Sequence, residues 1–62
     1  MAYVLFLDGK ATTVHKTLQD AQAAAKPHID RKMPVTIESM VAPAPSEIWY
    51  YDHDLPGWVR RQ

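Results

Sequence analysis

The feature that most constrains this chain is its opening, an unbroken apolar run from Ala2 to Leu7 followed at once by Asp8-Gly9. Asp-Gly between extended segments favours a type I′ turn, because both central residues of that turn need positive φ. The return segment, Lys10 to His15, carries the β-branched run Thr12-Thr13-Val14, which suits a strand. A β-hairpin is therefore expected. With Asp8-Gly9 as a two-residue loop, Leu7 faces Lys10, Leu5 faces Thr12 and Tyr3 faces Val14. Phe6 with Ala11, Val4 with Thr13 and Ala2 with His15 then occupy the other side. Both faces of the first strand are apolar, whereas a strand wet on one side alternates apolar and polar residues.

Thr17 reads as a helix N-cap, with Asp20 three residues on. A short hydroxyl side chain accepts an orphan backbone N–H there, and a carboxylate suits the positive end of the helix. Leu18, Ala21, Ala25 and Ile29 form one stripe at helical spacing, interrupted by Gln22 and flanked by Ala24. Pro27 either ends this helix near Lys26 or kinks it, since proline forfeits a hydrogen bond and crowds the preceding turn. Ile29 on the same stripe favours continuation to about Lys32.

Beyond Met33-Pro34, residues Val35 to Val41 read as a strand. Ala42-Pro43-Ala44-Pro45-Ser46 reads as a short extended surface connector. Ile48-Trp49-Tyr50-Tyr51 is a strong strand signal. Asp52 to Gly57 is turn-rich, with Pro56-Gly57 suited to the centre of a type II turn, and Trp58 to Arg61 can return as a last strand. The expected fold is α+β: a single helix on one face of a small, mainly antiparallel sheet, in the order β-β-α-β-β with a fifth C-terminal strand possible. At 62 residues the chain has room for one domain, residues 1–62.

Composition narrows the function classes. Seven basic residues balance seven acidic ones, so a generic phosphate-binding surface would have to be local. No cysteine is present, which removes disulfides and the strongest zinc signatures. No apolar run approaches the roughly 20 residues of a membrane helix. Met1-Ala2-Tyr3 does not read as the start of a signal peptide, so no membrane role and a cytoplasmic location are expected. His15, His28 and His53 are scattered. Asp52-His53-Asp54 offers metal-ligating types, but neighbours on a strand point to opposite faces. Neither Ser39 nor Ser46 sits in a nucleophile motif. No catalytic residue, metal or cofactor is expected, and the chain is expected not to be an enzyme.

Two binding classes remain. One helix covers one face of a sheet, and its narrow stripe cannot match two. The expected function is a small protein-interaction module, homodimeric or bound to another protein through the uncovered face. Its candidate surface is Tyr3, Leu5, Trp49, Tyr51, Trp58, Arg60 and Arg61. The alternative is a nucleic-acid-binding module, with Trp49, Tyr51 and Trp58 as a stacking platform beside Arg60 and Arg61. Lys26, His28, Arg31 and Lys32 form a second basic group. Glu47, Asp52 and Asp54 around the aromatics oppose that reading, and a domain this small also needs its tryptophans for the core. Paired aromatics on a short sheet also suggest polyproline recognition, but the spacing fits no WW-type module.

Overall fold

The computed structural model describes residues 2–41 and 44–61. Asp8 and Gly9 have φ of 52° and 80°, the paired positive values that a type I′ turn requires. They join β1 (Ala2–Leu7) to β2 (Lys10–His15). The expected register holds for Leu7 with Lys10 and Phe6 with Ala11, then shifts so that Leu5 pairs with Thr13, Val4 with Val14 and Tyr3 with His15. Thr12 is the extra residue of a bulge. The one-residue slip corrects the simple hairpin and moves Val14 to the other face, because side chains alternate with period two.

Helix α1 (Leu18–Asp30) is continuous through Pro27. Thr17 caps it, with its hydroxyl accepting from the Asp20 N–H at 3.1 Å. Pro27 and Ala23 are both exposed, so water can take the carbonyl that proline leaves without its usual donor. At the far end, the Lys32 N–H donates to Ile29 O at 2.9 Å and the Met33 N–H to His28 O at 3.1 Å. This is a Schellman ending, with Lys32 at φ 60° in the left-handed position that glycine usually fills.

The chain then enters β3 (Val35–Val41), β4 (Ala44–Asp52) and β5 (Gly57–Arg61). All pairings are antiparallel, and the sheet order is β2-β1-β3-β4-β5. The fifth strand is present. Ala44 and Pro45 do not form a connector but pair with Val41 and Met40, followed by a register shift. Proline is tolerated near such a bulge, and β5 pairs β4 only from Ile48 onward. The remainder of the expected connector, residues 42 and 43, lies outside the described residues. The type II turn at Pro56-Gly57 does not form. Gly57 instead opens β5 opposite Asp52 without positive φ. The turn is held by the Asp52 carboxylate, whose Oδ1 accepts from the N–H groups of Asp54 at 2.9 Å and Leu55 at 3.4 Å.

The topology sets how far the helix reaches. β2 and β3 flank β1, so the helix connecting them must cross β1. It packs on β1, β2 and β3. Leu5, Val35, Ile37, Ala21 and Ala25 form the buried core, each at most 2% exposed. The two alanines let the helix approach the sheet closely, and Leu18, Ala24 and Ile29 close the flanks.

Candidate interaction surface

Odd-numbered residues of β1 and β3 face the helix. Tyr3, Leu5 and Leu7 stand opposite Ser39, Ile37 and Val35. The same face continues through Trp49, opposite Ile37, and Tyr51, opposite Trp58. Six of the seven residues proposed from sequence as a surface lie on this face. Leu5 is 1% exposed, at the centre of the core. Tyr3, Trp49, Tyr51 and Trp58 are half-buried and pack against that core. Arg60 is exposed beside Trp49, its cross-strand partner. Arg61 lies on the opposite face, paired with Ile48. Leu5 as a candidate surface residue is therefore corrected: of the set Tyr3, Leu5, Trp49 and Tyr51, it belongs to the helix-packed core. The other three line the rim of that core.

The aromatics beyond the helix form a cluster among themselves. Tyr51 meets Trp58 edge to face, with centroids 5.5 Å apart and planes at 78°. Tyr51 also meets His53, at 5.1 Å and 68°. Such pairs add stabilisation beyond the area they bury. His53 Nε2 lies 3.0 Å from Met33 O. A carbonyl only accepts, so His53 carries its proton on Nε2 and ties the β4–β5 turn to the segment after the helix. The Trp49 indole N–H donates to Glu47 Oε2 at 3.2 Å. The rings are thus engaged with one another and with a carboxylate, rather than laid out as a free stack for bases.

Asp52, His53 and Asp54 are not brought together as ligands. Asp52 holds the turn and His53 points to Met33. Among the described residues, no three His, Cys, Asp or Glu side chains gather as a metal-ligand group.

The opposite face carries no helix. Its central side chains fall in two rows across the sheet, with Ala2 and Asp52 beyond them. One row is Ala11, Phe6, Thr36, Tyr50 and Val59, and the other is Val14, Val4, Glu38, Ile48 and Arg61. Val14 is 66% exposed and Tyr50 38%. Val4, Phe6, Ile48 and Val59 are half-buried, shielded only by their neighbours in the sheet. Thr36, Ile48, Tyr50 and Arg61 line a shallow depression of about 390 Å³. Sequence reasoning did not single out this set as the face left without a helix. The signal that finds it is β3, where apolar Val35 and Ile37 alternate with polar Thr36 and Glu38, the pattern of a strand covered on one side only.

No known protein family, curated protein or solved structure matches the chain. No described helix is long and apolar enough to cross a membrane.

Proposed function

We propose that this chain is a small protein-interaction module whose binding surface is the sheet face opposite the helix. The observation that carries the reading is the set of uncovered apolar side chains on that face, which flank a polar column at Thr36 and Glu38. They include Val14 and Tyr50, two of the three large apolar residues that are most exposed among those described. The third, Leu55, sits in the β4–β5 turn. Exposed apolar surface of this kind marks sites of association, and the helix packs on the other face. The aromatic residues first suggested for nucleic acid support that alternative less well. They are half-buried; Tyr51 and Trp58 meet edge to face, and the Trp49 indole N–H is engaged by the Glu47 carboxylate.

The test uses dilute protein and two probes. The apolar dye anilinonaphthalenesulfonate should bind the wild-type chain. Tyr50→Lys should reduce that binding several-fold without lowering Tm, because Tyr50 is already partly exposed. A single-stranded oligothymidine should leave the Trp49 and Trp58 fluorescence unchanged at low salt. Dye binding insensitive to Tyr50→Lys would count against the face. Salt-sensitive quenching by the oligonucleotide would replace the reading with nucleic-acid binding.

A further inference from the structure

We infer that the occupant of the bare sheet face is a second copy of this chain, packed sheet to sheet about a two-fold axis. The axis lies in the interface, runs perpendicular to the strands and crosses β3 between Thr36 and Glu38. This rests on the interaction reading above and names the partner.

The chemistry of the two rows favours a second copy. Three of the five columns on this face are wholly apolar, and the Val59/Arg61 column lies at the rim, where a guanidinium can reach water. The central column is polar, because β3 presents Thr36 in one row and Glu38 in the other. A wholly apolar partner would bury the Glu38 carboxylate without a donor, which costs free energy. A two-fold axis between the rows lays each row over the other row of the second copy. Each Glu38 then meets a Thr36 hydroxyl, which donates to it, and the match occurs twice. The same operation sets Phe6 over Val4, Tyr50 over Ile48 and Ala11 over Val14, apolar on apolar. Arg61 lies over Val59, where its aliphatic stem can cover the valine while the guanidinium reaches the rim. Self-complementarity of this kind is what an isologous interface requires.

Area agrees with a second copy. Five strands spaced about 4.8 Å, with about six residues each at about 3.4 Å, give each face roughly 24 by 20 Å. Two copies therefore bury on the order of 1,000 Å², the lower bound for a specific interface. The sheet edges are poorer candidates. β2 carries its bulge at Thr12, and β5 ends in Arg60-Arg61. Bulges and charges are devices that discourage edge pairing.

The experiment is sedimentation equilibrium of the full chain over a wide concentration range, paired with the dye assay. The wild-type mass should rise from 7.1 kDa toward twice that value. Tyr50→Lys should weaken association at least tenfold while Tm in dilute solution stays unchanged. The chain has no cysteine of its own, so introduced thiols report the register cleanly. Chains carrying Val14→Cys should form disulfides with chains carrying Ala11→Cys at least fivefold faster than with chains carrying Val59→Cys, which lies at the opposite edge. A dimer indifferent to Tyr50→Lys, or one that cross-links Val14→Cys to Val59→Cys, overturns the proposed packing. A strict monomer whose face still binds dye, with binding lost in Tyr50→Lys, overturns the second copy and leaves the face to another protein. A strict monomer that binds no dye overturns both readings.

Discussion

Leu5 and Phe6 are neighbours on one strand, both large and apolar, yet Leu5 is 1% exposed and Phe6 is only half-buried. The same contrast divides Ile37 from Ile48. Residue type does not separate these pairs. What separates them is the helix, which lies over one face of β1, β2 and β3 and leaves the other face bare. A sheet face becomes a core only where something covers it, and an uncovered apolar face remains available for association. Substitutions on the two faces therefore ought to differ in kind. Helix-side changes act on folding, and bare-face changes act on association.

The largest contrast should come from Ile37→Ala against Ile48→Ala. Ile37 is 0% exposed, and truncating a buried isoleucine costs about 2–5 kcal/mol. A single core of this size supplies only about 3–5 kcal/mol, so urea denaturation should find Ile37→Ala largely unfolded. Ile48→Ala, measured in dilute solution, should lose less than about 1.5 kcal/mol, since its site is half open. Equal losses would mean that the two faces are equally packed, and the contrast would collapse.

Gly9→Val is the next largest. Gly9 has φ 80° with open space around its missing Cβ, so the penalty is conformational and not steric crowding by neighbours. A side chain in the left-handed region costs about 1–2 kcal/mol, and a β-branched one resists it further. The expected result is a Tm lower by several degrees. An unchanged Tm would show that the turn tolerates another geometry, and with it another register for β1 against β2.

What was legible in the sequence follows from how local each determinant is. Asp8-Gly9 announced its turn because both residues had to adopt positive φ. Thr17 and Asp20 announced the helix start because capping involves only adjacent backbone. The strands at Val35 and Ile48 followed from side-chain type and pattern. The misread features depended on partners distant in sequence. The bulge at Thr12 is invisible in a run of β-branched residues. Pro45 has the local character of a connector, and only its pairing with Met40 places it in β4. Above all, β1 is apolar on both sides, so it could not say which side the helix covers. The polar alternation of β3, at Thr36 and Glu38, carried that information. From β1 alone, Leu5 and Phe6 are equally good candidates for the face the helix leaves bare.

A smaller effect tests how the turn of the C-terminal hairpin is held to the helix-covered half. His53 bonds Met33 O and meets Tyr51 edge to face. Replacing it by alanine removes one hydrogen bond and one ring contact, worth about 1–2 kcal/mol together. Hydrogen exchange should speed up in β5 before it does in β1. Uniform acceleration across the sheet would show that the two halves open together.

The smallest expected change is a gain, and it acts on the cover itself. Lys32 holds φ 60° at the helix end while its N–H donates to Ile29 O. A lysine there retains the left-handed penalty that glycine avoids. Lys32→Gly keeps the backbone hydrogen bonds and relieves that strain, partly offset by the greater freedom of glycine in the unfolded chain. The net gain should be about 0.5–1 kcal/mol, seen as a rise of a few degrees in Tm for a domain this small. Because the change tightens the helix and touches nothing on the bare face, self-association measured by sedimentation should not move. A parallel change in association would mean that the helix and the uncovered face are energetically coupled through the sheet. The separation between a face that governs folding and a face that governs binding would then fail.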